Sequence, residues 1–306
     1  MSNFPTLYNS EDAFRDYVPR TQEFMTLGAQ AGLRPAAEDK ARAALVVIDM
    51  QNDFVRPEGA LSVPGSEADL QRLVEFIYNK AEQISAIYCT LDSHYPMQIF
   101  YSEWWHNPAT GEQPAPFTVI TAEDLAQGAW VARQDAEWSQ HYVTELAKQS
   151  QKQLMIWPKH TMVGTWGQAL SPALYEAIAW HSAARQAQPV FVTKGDLPQV
   201  ERYGAFAPEV EYPGDPRGRA DRTLLDELAG YERTWWAGEA ETHCVIASQV
   251  QAAEYYASKP QVLEGMNFLT DCTSPILHPE VDFVGPTRAE QQRLAALGVK
   301  LVKSTD

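Results

Sequence analysis

The stretch Ala44-Leu45-Val46-Val47-Ile48-Asp49 constrains the fold more than any other. Its apolar run is unbroken and rich in branched residues, so both faces of the strand need covering. Such strands belong to parallel sheets layered between helices. Candidate strands recur at residues 84–91, 154–157, 189–193, 261–270 and 299–302, and in the apolar run through Trp235-Trp236-Ala237. Helical patterns separate them at residues 69–83, 172–186, 224–229 and 287–297, and in an Ala-rich segment reaching 258. This alternation predicts the α/β class: a three-layer α/β/α sandwich with a mainly parallel, doubly wound sheet of about six strands.

Two segments depart from the rhythm. Residues 1–43 are mixed and polar, with a helical pattern around 21–31, and read as an N-terminal arm packed on a main domain of residues 44–306. Residues 95–150 read as an insertion over one end of the sheet. They open with Tyr95, Phe100, Tyr101, Trp104 and Trp105 and close with a helix over 135–150. A structureless loop of that length does not suit a compact domain.

Composition narrows the partners. With 24 Lys+Arg against 40 Asp+Glu, the formal charge is -16, which leaves no basic stripe to neutralise phosphates and excludes nucleic acid and anionic membranes. No apolar run reaches membrane-spanning length, and Met1-Ser2-Asn3-Phe4-Pro5 lacks the basic start of a signal peptide. Three scattered cysteines make no disulfide framework, so a reducing cytoplasm is expected.

The chemistry lies at strand ends. Open α/β sheets gather the carboxyl ends of their strands at one crevice, and Asp49, Lys194 and Cys244 each follow a predicted strand. Cys244 sits in Gly238-Glu239-Ala240-Glu241-Thr242-His243-Cys244-Val245, a strand–turn–helix elbow. There, helix N-terminal N–H groups favour thiolate and can hold a developing oxyanion. In the functional reading Cys244 attacks a carbonyl, Asp49 takes its proton and Lys194 steadies the charge. In the plain reading Cys244 is a small buried residue at a helix start, Asp49 caps a turn and Lys194 is solvated. Cys89, inside an apolar strand, and Cys272 read as structural.

A second group comprises Asp92, His94 and His160. Two imidazoles and a carboxylate suit a borderline divalent ion such as zinc, with manganese or iron also compatible. Glu103, His106 or water would complete the shell. The plain alternative is a polar turn with a stray histidine.

Five blocks together resemble the cysteine hydrolases of the isochorismatase-like superfamily, and nicotinamidases most of all. They are Val47-Ile48-Asp49-Met50-Gln51-Asn52-Asp53-Phe54, Asp92-Ser93-His94, Trp157-Pro158-Lys159-His160 with Gly164-Thr165-Trp166-Gly167, Lys194-Gly195, and the block around Cys244. The resemblance implies a catalytic triad of Asp49, Lys194 and Cys244. It implies an oxyanion hole from the N–H groups of Ala240 and Cys244, beside a cis Glu239–Ala240 peptide. It also implies a divalent metal on Asp92, His94 and His160, with Glu103 at a position that some members use. Phe54 and Trp157 would line the pocket for a pyridine ring, though such residues also serve as core. The expected activity is hydrolysis of nicotinamide to nicotinic acid and ammonia through a thioester, in NAD salvage, by a homo-oligomer. Another small amide, a metal-free hydrolase of isochorismate type and a catalytically silent small-molecule binder are the alternatives. Thr161 stands where the family usually has Cys, and the insertion leaves the chain immediately after His94.

Overall fold

The computed structural model describes residues 4–149, 153–278 and 281–306. Six parallel strands form the central sheet: β1 (Ala43–Ile48), β2 (Ala86–Asp92), β3 (Val190–Lys194), β4 (Arg233–Gly238), β5 (Met266–Leu269) and β6 (Lys300–Val302). Their spatial order is β6-β5-β4-β1-β2-β3, with β1 central as its unbroken apolar run requires.

The pleat sends alternate residues to opposite faces, and each face has its own core. Leu45, Val47, Ile87, Cys89, Trp235 and Ala237 pack on one side with helices α2 (Ser66–Asn79) and α4 (Pro172–Arg185). Ala44, Val46, Ile48, Tyr88 and Trp236 pack on the other with α5 (Ile246–Tyr255) and α6 (Val284–Ala296). The result is the expected three-layer, doubly wound arrangement.

The N-terminal segment lies over α4. Helix α1 (Thr21–Ala29) runs so close to it that a Cβ on Gly28 would meet the Trp180 carbonyl oxygen at 2.3 Å. Arg20 bonds the buried Asp12 at 2.5 Å and Glu176 at 2.9 Å, and the Tyr17 hydroxyl donates to Glu176 at 2.8 Å.

Residues 95–157 build a separate core from Phe100, Tyr101, Trp104, Trp105, Tyr142 and Trp157, backed by helix α3 (Ala136–Gln149). Trp104 Nε1 donates to Ser139 Oγ at 2.9 Å, and Trp105 Nε1 to the Ile99 carbonyl at 2.6 Å, so both indoles are buried with their polar atom satisfied. The helix end expected at Ser150 lies outside the described residues.

Two strand expectations need correcting. Leu154–Met155 does not join the central sheet; it pairs antiparallel with Val119–Ile120 inside this second core. A short apolar run reports burial but not its partner. Residues 260–265 are helix rather than strand, and β5 starts only at Met266. Pro260 at the first helical position starts that turn, a signal that the apolar count outweighed.

Candidate active site

Four elements deliver the site. Asp49 follows β1 directly in a left-handed conformation (φ 45°). Asp92 and Lys194 are the last residues of β2 and β3 and face each other in register. β4 ends at Gly238, whose φ of 123° favours glycine and whose added Cβ would meet the Ile48 carbonyl oxygen at 1.9 Å. The Glu239–Ala240 peptide is cis, as the resemblance implies. A π-helical turn, Glu241–Val245, follows and leads into α5, so Cys244 stands one turn before the regular helix.

These elements bring Asp49, Lys194 and Cys244 together. Lys194 Nζ lies 2.8 Å from Asp49 Oδ2, 2.9 Å from Asp92 Oδ1 and 3.6 Å from Cys244 Sγ, and donates to the Arg202 carbonyl at 3.1 Å. Thr90 Oγ1 donates to Asp49 Oδ1 at 2.5 Å. All three residues are buried.

The electrostatics differ from the thiolate expected at the elbow. Burial pushes the Cys244 thiol well above its usual value, and the charges of Asp49 and Asp92 add to that; Lys194 opposes them and does not prevail. Burial likewise raises Asp49, with Asp92 adding and Lys194 opposing. Burial would lower Lys194, but Asp49 and Asp92 outweigh it and hold the ammonium charged. A helix-terminus argument from sequence counts the N–H groups and omits desolvation, which dominates in a closed site. The resting group is thus a thiol beside a carboxylate of raised basicity, with a fixed cation within reach of the sulfur.

Asp92, His94 and His160 also converge. They are buried, and their candidate ligand atoms all lie within 4.8 Å of one another. Asp92 Oδ2 is 2.9 Å from His94 Nε2 and 3.7 Å from His160 Nε2. His160 Nδ1 meets the Pro158 carbonyl at 2.7 Å and His94 Nδ1 the Gly195 carbonyl at 2.9 Å, which fixes Nδ1 as the donor and turns each Nε2 lone pair inward. Burial and the neighbouring His94 push His160 down to about 3, keeping it neutral. Burial would raise Asp92, but His94 and Lys194 overcome it and hold the carboxyl well below the usual range. Two imidazoles and one carboxylate in this arrangement could hold a divalent cation. Glu103 instead bonds Lys159, and neither it nor His106 belongs to the group.

A cleft opens onto both groups, with walls from Phe54, Leu61, Trp157, Tyr203, His243 and Ile276. Several residues that the sequence did not single out shape it. Trp157 Nε1 donates to the buried Glu201 at 2.6 Å, and the His243 ring packs against Trp157 and Tyr203 at centroid distances of 5.6 and 5.4 Å. Gln51 clasps the Asp92 backbone at both N–H and C=O, each at 2.8 Å. Gln98 Nε2 donates to the same Gly195 carbonyl that His94 uses, at 2.7 Å. Gln51 lay within a quoted block, whereas Gln98, Glu201 and Tyr203 carry no spacing signal. Thr161, the departure from the family pattern, is held through its N–H by Asp53 Oδ2 at 2.7 Å.

A doubly wound parallel sheet with a buried Cys, Lys and Asp at its carboxyl edge, next to an Asp-His-His group, defines the class of this protein. Within it, the chain is similar to nicotinamidases in both sequence and fold. It is 23% identical to the nicotinamidase of Saccharomyces cerevisiae over 210 residues, spanning 69% of this chain and 81% of that protein. The structure of the yeast nicotinamidase with the inhibitor nicotinaldehyde matches 85% of this chain and 99% of its own at TM-score 0.57 and 21% identity. A nicotinamidase/pyrazinamidase of Acinetobacter baumanii matches 86% and 97% at TM-score 0.56 and 22% identity. These structural likenesses establish the fold. No protein-family model matches the chain.

Proposed function

We propose that the protein is a metal-dependent cysteine amidohydrolase that converts nicotinamide to nicotinic acid and ammonia. The observation that carries this reading is the contact of Lys194 with Asp49, Asp92 and Cys244, which joins a nucleophile, a base and a metal-ligand group in one cleft.

In this reading Asp49 takes the proton of the Cys244 thiol as Sγ attacks the carboxamide carbon, and Lys194 stabilises the sulfur's developing charge. The N–H groups of Ala240 and Cys244 receive the carbonyl oxygen as it becomes an oxyanion. Asp49 passes its proton to the leaving nitrogen, ammonia departs, and a thioester remains on Cys244. Asp49 then takes a proton from the water that attacks the thioester, nicotinic acid leaves, and Asp49 returns the proton to the Cys244 sulfur. Phe54 and Trp157 flank the ring, with Glu201 fixing the indole. Asp92, His94 and His160 would hold the metal, zinc by preference, which supplies a Lewis acid for the ring nitrogen or for water. Glu103, paired with Lys159, stays outside that shell and water completes it.

The reading extends to a role in NAD salvage, to a homo-oligomer and, since all three cysteines are unpaired and buried, to the reducing cytoplasm. Residues 44–306 would form the hydrolase domain, with 1–43 as an arm and 95–150 as an insertion. A different small amide is the second reading, favoured by the wall that Glu201, Tyr203 and His243 build around the cleft.

The test is ammonia release from nicotinamide by the purified protein, with Cys244→Ala and metal content measured alongside. Turnover by wild type only, with about one divalent ion per chain, is expected for a single three-ligand site. Cys244→Ala activity near wild type would sink the mechanism. Bound metal without turnover would move the reading to other amides.

A further inference from the structure

Glu239 begins the nucleophile turn but is absent from the cleft wall; it is fully buried and faces helix α2. Its Oε2 accepts the Ser274 N–H at 3.2 Å, while Oε1 is buried and meets no donor among the described residues. The carboxyl beside it is Asp69, also buried. Asp69 Oδ1 accepts from Arg72 Nη2 and Oδ2 from Ser274 Oγ, each at 2.5 Å. Ser274 ties the two carboxyls together, its Oγ on Asp69 and its N–H on Glu239, and the two side chains are hydrogen-bond partners. Two carboxyl groups cannot bond without a proton between them. Asp69 already accepts two donors, so the proton belongs on Glu239, which donates it to Asp69.

We infer that Asp69 and Glu239 share one proton, and that the neutral Glu239 carboxyl is a positioning residue for the turn carrying Cys244. The turn is stitched to residues 272–276 on both sides of this carboxyl. Gly238 N donates to the Cys272 carbonyl at 3.0 Å, Glu241 N to the Ser274 carbonyl at 2.9 Å and Ile276 N to Thr242 Oγ1 at 3.1 Å. Ser274 is therefore gripped by Asp69, Glu239 and the Glu241 backbone together, and Ile276 beyond it forms part of the cleft wall.

Ionising Glu239 would set two buried carboxylates in contact. The other charged groups facing the pair do not rescue it. Arg72 is already bound to Asp69 and to the Asp271 carbonyl, and Glu241, itself bound by Arg288 and Gln291, adds negative charge. Cys272 is a buried thiol whose pKa is pushed above its usual value. Separation of the pair would shift the nucleophile turn against residues 272–276 and displace Cys244. Burial holds Glu239 well above the usual carboxyl value, with Asp69 adding to the shift. A raised carboxyl gives stability that is complete at acid pH and is lost as pH rises through its folded value.

The kinetic readout rests on the proposed amidase reaction; the others do not. Glu239→Gln mimics the neutral acid, since its amide donates to Asp69 and its oxygen accepts from Ser274. We expect kcat within about threefold of wild type at neutral pH, KM unchanged, and an alkaline fall in kcat present in wild type only. Without substrate, the melting temperature of wild type should fall with rising pH more steeply than that of the variant. The infrared stretch of a protonated buried carboxyl should be present in wild type at neutral pH and reduced in Glu239→Gln. An unreduced infrared band, or a variant with the same alkaline melting profile as wild type, would overturn the shared proton. A neutral-pH kcat loss beyond about tenfold in the variant would overturn the positioning role of the neutral acid. If Glu239→Gln does not fold, Asp69→Asn replaces it: Glu239 loses its carboxylate partner, so its infrared band should shift or vanish, and a band unchanged in position and intensity refutes the pair.

Discussion

Lys194 bridges Asp49 and Asp92 within reach of the Cys244 sulfur. The identities of these residues were legible in the sequence because each ends a strand, and strand ends in open sheets converge. Their ionisation was not legible. The elbow suggested a thiolate, whereas burial, with Asp49 and Asp92 adding, keeps the sulfur a thiol. The histidines of the candidate metal group were legible from the Asp92–His94 spacing and the resemblance, but their orientation comes from the Gly195 and Pro158 carbonyls and from Gln98, which have no motif. His94→Ala should therefore lose the divalent ion, and Gln98→Leu should weaken it by roughly 10-fold to 100-fold, as expected for loss of an orienting partner. Metal analysis after dialysis and competition with a chelator reads both; unchanged metal content in His94→Ala would refute the ligand assignment.

At the scale of elements, β1 and the helices around it followed from apolar period and length. The elbow did so only partly, because a π-helical turn and a strand–strand close approach leave no periodic trace. Gly238 is the point where the approach is tightest: a Cβ there would meet the Ile48 backbone, and φ lies in the region that favours glycine. Backbone atoms in the middle of a sheet have no rotamer by which to give way. Gly238→Ala should cost about 3 kcal/mol or more, read as a shift of the denaturant midpoint, and should lower activity by displacing Cys244. A variant as stable as wild type would show that β1 and β4 can separate at that point. Leu154–Met155 illustrates the converse limit, since two buried apolar residues fit either the central sheet or a hairpin of the second core.

For the whole molecule, the three layers and the net charge were readable from pattern and composition, while the partner of each buried polar group was not. His181 on α4 is one such group, with Nε2 3.0 Å from the Ile84 carbonyl at the entrance to β2. Burial, with Arg185 adding, lowers it from the usual 6.5 to about 4. A depressed histidine stays neutral when folded, so its contribution is complete above pH 6.5 and is lost as pH falls towards 4, by about 3 kcal/mol for such a shift. His181→Gln, which keeps a donor for Ile84, should show a flatter fall in unfolding free energy across that window. An identical slope would assign acid sensitivity to other groups.

The insertion that starts at residue 95 begins next to His94 and returns at Trp157-Pro158-Lys159-His160, so both its roots lie beside the Asp92-His94-His160 group. A cation seated there would act as a rivet through both roots of the insertion. The tip could then be lengthened, shortened or exchanged without moving Asp49, Lys194 or Cys244, which the central sheet carries. Such a layout separates the part that performs the chemistry from the part that frames the opening, and lets the second change freely while the first stays fixed.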